Sequence, residues 1–142
     1  MAKIIYLHGF ASSANSTKAL QLKKYILENY SKTEIIIPDI ENNIVDAVQQ
    51  IDKLIEEFSP SALIGSSLGG FYATYFSEQY NLKCVGINPA VIPPAEMSEY
   101  LGENKNYSTG EKFLINQEQL DLLDRMGSCL LYTSDAADDG LS

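Results

Sequence analysis

Ser61-Ala62-Leu63-Ile64-Gly65-Ser66-Ser67-Leu68-Gly69-Gly70-Phe71-Tyr72-Ala73-Thr74 runs from an apolar stretch, through a glycine-bracketed turn, into an amphipathic one. Ser61–Ile64 follows Pro60 and has the character of a short, buried parallel strand. Beyond the turn, Tyr72, Tyr75, Phe76 and Tyr80 fall at helical spacings, and Asn81 offers a stop. Ser67 stands at the apex between strand and helix. A serine hydroxyl is a poor nucleophile until a turn lifts it clear of the backbone and a base takes its proton. Gly65 and Gly69 suit such a turn, because a side chain at either would strike backbone crossing beneath it. Random sequence of this length shows Gly-x-Ser-x-Gly with odds of roughly 5%, so placement carries the reading. The competing reading is a glycine-rich turn without chemistry, and a second motif bears on it.

That motif is Leu7-His8-Gly9-Phe10, directly after the apolar run Ile4-Ile5-Tyr6-Leu7. Acyl transfer needs two backbone N–H groups aimed at the oxyanion of the tetrahedral intermediate. In the α/β-hydrolase pattern one comes from the residue after the nucleophile, here Leu68, and one from a loop after an earlier strand. Phe10 is the candidate for the second, with Gly9 letting the loop pass close to the substrate. His8 is the chain's one histidine and therefore invites assignment as the base. Triad order in this fold runs serine, acid, histidine, so His8 is instead expected to support the oxyanion loop from within.

Tyr6-Leu7-His8-Gly9-Phe10 with Ser12-Ser13, and Ile64-Gly65-Ser66-Ser67-Leu68-Gly69-Gly70-Phe71-Tyr72-Ala73-Thr74, resemble the YqiA/YcfP family of small bacterial esterases. Asn88-Pro89-Ala90-Val91, then Pro93, Tyr100-Leu101-Gly102-Glu103-Asn104 and Thr109-Gly110, are similar to the family's later segments. The similarity runs from about residue 3 to residue 125. It implies a single-domain, cofactor-free serine esterase that takes a small-molecule ester and uses a Ser–Asp–His triad. Of that triad only the nucleophile carries over, onto Ser67.

The chain departs from the family after Arg125. The family's acid follows a later strand in a Gly-Asp-Glu-like turn, and its histidine lies beyond, in a Gly-Asn-His-like loop. Residues 127–142 offer neither. Cys129–Asp138 resembles a translated transposon-end sequencing adapter, so 127–142 is expected to be a non-native tail on a truncated gene. Residues 1–126 are then the N-terminal part of one domain. The alternative makes Leu130-Leu131-Tyr132 the strand and Asp135 the acid, with no histidine after it.

Composition agrees with a globular enzyme of one modest core. The 142 residues are 45% hydrophobic and 20% charged, within the ordinary soluble range. The net charge is −9. Asp135, Asp138 and Asp139 lie in the suspect tail, which has no Lys or Arg, leaving −6 on the rest. That argues against nucleic-acid or anionic-membrane partners, which need clustered basic residues. Of two cysteines, Cys84 sits in an apolar strand and Cys129 in the tail, which suggests a reduced, cytoplasmic protein without disulfides. Met1-Ala2-Lys3 leads straight into a strand, with no signal peptide, and no stretch reaches membrane-spanning length.

The alternation of elements predicts an α/β-hydrolase fold: a partial, doubly wound, mostly parallel sheet with helices on both faces. Strands are expected at Ile4–Leu7, Glu34–Ile37, Ser61–Ile64 and Lys83–Ile87. Helices are expected at Thr17–Tyr30, burying Leu22, Ile26, Leu27 and Tyr30, and from Asn43 to Phe58. The latter has the cleanest stripe: Ile44, Val48, Ile51, Leu54, Ile55 and Phe58. Residues 88–112 read as a lid or substrate loop, where Tyr100 and Tyr107 either line an acyl pocket or merely pack the lid or face solvent. Asn116 with Gln119 opens a helix to about Arg125. Asp39 reads as a turn residue, and Ser12 and Ser13 as polar neighbours of the oxyanion loop. A dinucleotide site is disfavoured, since Gly65-x-x-x-Gly69-Gly70 is not Gly-x-Gly-x-x-Gly and no Gly-Lys-Ser/Thr occurs. No metal or cofactor is expected. The functional expectation is a carboxylic-ester hydrolase with an acyl-Ser67 intermediate. The alternatives are an inactive fragment or binding module, or a thioesterase or other acyl-transfer enzyme.

Overall fold

The computed structural model describes residues 2–87 and 97–141, the side chains of 130–141 excepted. Four strands, β1 (Lys3–Leu7), β2 (Glu34–Ile36), β3 (Ala62–Ser66) and β4 (Lys83–Ile87), form one sheet of order β2-β1-β3-β4. Every pairing in it is parallel, with Tyr6 beside Ile64 and Ile64 beside Val85. Three helices connect them: α1 (Thr17–Asn29), α2 (Ile44–Phe58) and α3 (Leu68–Tyr80). With right-handed crossovers, this strand order puts α1 on one face and α2 and α3 on the other. The doubly wound arrangement expected from the alternation is therefore present.

The core lies on the α2–α3 face. Ile5, Leu7 and Leu63 point there and join Ile44, Ala47, Ile51 and Ile55 of α2 and Phe71, Ala73 and Phe76 of α3. Burying each large aliphatic or aromatic side chain there contributes about 1.5–3 kcal/mol. α2 starts where Asn43 accepts a hydrogen bond from Asp46 N, and ends at Ser59, whose φ of 51° breaks the helix. α1 is capped by Ser16, which accepts from Ala19 N.

Several expectations need correction. Leu27 and Tyr30 are exposed, and α1 buries Ala19 and Ile26 instead. Among the described residues, α1 is the one connecting helix on its sheet face, so the flank of its apolar arc meets solvent. Cys84 is exposed because β4 is an edge strand. The stretch read as a lid loop contains a 3-10 turn at Ser98–Tyr100 and an antiparallel hairpin, β5 (Gly102–Lys105) with β6 (Lys112–Ile115). The Asn88-Pro89-Ala90-Val91 block lies outside the described residues.

The last helix, α4, spans Gln117–Leu141 rather than stopping near Arg125. No proline interrupts residues 117–141, and the one glycine before residue 140, Gly127, costs only about 1 kcal/mol in a helix. Leu130-Leu131-Tyr132 is helical, which removes the strand that would have set Asp135 as an acid. Asn116 caps α4 through Gln119 N, as expected. The Gln119 side chain does not return to Asn116. It is buried, accepts from Ile44 N at 2.8 Å and donates to Leu114 O, tying α4 to the start of α2. No helix among the described residues is long and apolar enough to cross a membrane.

Ile51→Ala should cost about 2–5 kcal/mol, because Ile51 is fully enclosed in the core. Leu27→Ala should stay within about 0.5 kcal/mol of wild type. Urea unfolding followed by circular dichroism measures both.

Candidate active site

β3 delivers the chain into the turn and α3 takes it away, with almost no space between them. A Cβ at Gly65 would lie 2.1 Å from Gly69 O, and a Cβ at Gly69 would lie 2.0 Å from Leu7 O. Both contacts are with backbone, which cannot move aside. At the apex Ser67 has φ 57° and ψ −121°, a conformation that L-residues rarely adopt. Strain of this kind costs on the order of 1–3 kcal/mol and persists only where surrounding structure enforces it. Here Ser67 N donates to Ile87 O and Phe71 N to Ser67 O, pinning the residue between β4 and α3. Ser67 is exposed, and its side chain makes no capping bond to α3. Its oxygen stands at a helix N-terminus, whose partial positive charge favours a developing anion.

The loop after β1 lies against this apex. A methyl group at Gly9 would come 3.3 Å from Ser67 Cβ and 4.0 Å from Oγ. His8, Gly9, Phe10, Ala11 and Leu68 share one cleft with Ile40, Glu41, Asn42 and Tyr72. Its free volume of about 10 Å³ holds a single water-sized group. Phe10 and Leu68, the residues read as oxyanion donors, thus line one small space; Ser67 is not among its lining residues and adjoins it in sequence through Leu68.

His8 is buried, and both ring nitrogens are in use. Nδ1–H donates to Gly9 O at 2.9 Å, and Nε2 accepts from Ile40 N at 2.9 Å. The ring is therefore the neutral Nδ1–H tautomer, with no lone pair left for Ser67. Burial pushes its pKa down, partly offset by the Gly9 carbonyl and by the charge of Asp39. Asp39 is engaged in the loops themselves; its Oδ1 accepts from Ala14 N and its carbonyl from Gln50. Ser13 is buried with its Oγ 2.5 Å from Ser108 Oγ. Tyr100 packs on Phe10 with ring centroids 4.7 Å apart, whereas Tyr107 is 82% exposed.

Sequence reasoning passed over several residues that surround this loop. Phe113 meets the Phe10 ring edge-on at 5.6 Å. Asn106 is buried and bonds to the loop at Ser12. Asn106 followed by Ser108, Thr109 and Gly110 is a turn signature, but its distant partner leaves no mark in sequence. Lys18 Nζ reaches Ser66 Oγ at 3.5 Å on the α1 side of the elbow. No group of three or more His, Cys, Asp or Glu is gathered for a metal among the described residues.

A histidine held neutral in the fold stabilises it above the unfolded pKa of about 6.5 and loses that contribution as pH falls below it. Wild type should therefore lose stability as pH falls below about 6.5. His8→Gln should flatten that part of the curve, as thermal melts across the range would show.

Two relatives match 108 residues of this chain. A UPF0227 protein of Pectobacterium atrosepticum is 31% identical and one of Pectobacterium carotovorum is 29% identical, each over 73% of this chain and 59% of the relative. The chain thus spans about 59% of the length of these curated relatives. A solved structure described under "LipS and LipT, two metagenome-derived lipolytic enzymes" superposes with a TM-score of 0.58 at 15% identity. That match covers 92% of this chain and 66% of the other, and shows that the two share the α/β-hydrolase fold. The model of UPF0227, an uncharacterised protein family, matches residues 3–131. The chain belongs to the UPF0227 family.

Proposed function

We propose that this chain carries the nucleophile and oxyanion hole of a serine carboxylic-ester hydrolase. The observation that supports this best is Ser67 itself: a strained, exposed serine at a helix N-terminus, with the Phe10–Leu68 cleft beside it. In the proposed reaction Ser67 Oγ attacks the ester carbonyl. The carbonyl oxygen becomes an anion held by the N–H groups of Phe10 and Leu68, and the ester C–O bond breaks. The alcohol leaves with a proton, and water then hydrolyses the acyl-serine. The lipolytic enzymes of similar fold are consistent with this chemistry.

The proton-transfer half of a triad is a separate matter. The sequence contains one histidine, and its Nε2 is occupied by Ile40 N–H. The proton of Ser67 therefore passes to solvent in this polypeptide, and the rate should be low. Enzymes stripped of triad residues keep about 10³–10⁴-fold acceleration over water, from the oxyanion hole and binding. We place this chain at or below that level.

An activated p-nitrophenyl phosphonate should slowly add to Ser67, seen by mass spectrometry of the peptide that contains it. Ser67→Ala should remove the adduct. Turnover of p-nitrophenyl acetate should stay at the residual level above. An unmodified Ser67, or the same adduct yield in Ser67→Ala, would refute the nucleophile assignment. Turnover at ordinary esterase rates would refute the missing base.

A further inference from the structure

The loop that carries Phe10 is not stable by its own geometry. Ser12 N donates to Gly9 O, closing a turn in which Phe10 and Ala11 are the central residues. Ala11 has a φ of 57°, a left-handed position that favours glycine or asparagine. An alanine held there requires outside support.

The support comes from the β5–β6 hairpin. Tyr107 N donates to Ala11 O at 2.8 Å. Asn106, 3% exposed, donates through Nδ2 to Ser12 O and to Asn42 Oδ1, both at 2.9 Å. Its Oδ1 accepts from Ser108 N and Thr109 N, which fixes its own turn. One amide therefore shapes the hairpin tip with its oxygen and clamps two other loops with its nitrogen. We infer that Asn106 is a positioning residue: it holds the Gly9–Ser12 turn so that the Phe10 N–H faces the acyl oxygen at Ser67. This rests on the hydrolase reading above and adds a residue to it.

Asn106→Asp separates the two halves of that amide. It keeps the acceptor for Ser108 and Thr109, removes the donor, and sets a carboxylate against Ser12 O. Phosphonylation of Ser67 should slow about tenfold to a hundredfold, the usual effect of misplacing a reacting group by an ångström, with the folded state still populated in thermal melts. A buried carboxyl protonates readily, and the acid form donates again. The ratio of variant to wild-type labelling rate should therefore recover as pH falls from 7 to 5. Ser13→Ala, a gentler cut between the same segments through the Ser108 contact, should also slow labelling. Thr109→Val, altering only the hairpin's internal bond to Glu111 N, should not. If wild type labels and Asn106→Asp labels equally fast, or its deficit ignores pH, Asn106 has no such role. Should Asn106→Asp not fold, an unchanged labelling rate in Asn106→Ser, whose short side chain cannot donate to both Ser12 O and Asn42, rules out the role. Failure of wild type to label would sink the hydrolase reading itself.

Discussion

Two glycines allow three backbones to touch, and the rest of the site follows from that contact. Gly69 lets the first turn of α3 rest on the carbonyls of Leu7 and His8, and Gly65 lets β3 pass beneath that turn. Any Cβ would push α3 outward by more than an ångström, since the projected contacts of 2.0–2.1 Å fall far inside van der Waals distance. The close approach forces Ser67 into its left-handed conformation. It also brings the end of β1 next to the apex, so the following loop begins beside Ser67. Ser67 and the loop after β1 are thus positioned by one packing event rather than two.

The loop after β1 is held from three directions. His8 fastens it to the segment after β2 through Ile40, Asp39 holds its far side through Ala14, and the β5–β6 hairpin grips its middle. A buried imidazole with both nitrogens bonded costs little in water-like terms, whereas one left unpaired would cost about 1–3 kcal/mol. That asymmetry explains how the chain's one histidine, close to Ser67, can be held by its hydrogen bonds alone. Its usefulness lies in having one donor and one acceptor at a fixed angle.

Most of the sheet was legible because its signals are local. Ile4–Leu7 and Lys83–Ile87 are apolar or β-branched runs bounded by polar residues, and α2 has an unbroken stripe between Asn43 and Phe58. The elbow was legible because only glycine fits at two fixed offsets from Ser67. What was not legible depends on partners far along the chain. Leu27 and Tyr30 have the spacing of buried residues but no element beside them. The β5–β6 pairing joins Glu103 and Asn104 to Leu114 and Phe113, a polar strand without the alternation that would reveal it. Asn106 and Gln119 do their work across 64 to 94 residues. The helix past Arg125 continues because nothing in its sequence stops it; the motif resemblance suggested a boundary there, whereas the family model matches on to residue 131.

In the proposed site the Ser67 hydroxyl and the amides of Leu68 and Phe10 converge on one oxygen. A crystal structure of the chain after reaction with an activated phosphonate tests it most directly. The account predicts a phosphorus atom bonded to Ser67 Oγ, with its phosphoryl oxygen about 2.7–3.1 Å from both amide nitrogens. A Ser67 adduct whose phosphoryl oxygen points into solvent, away from the loop after β1, would contradict it.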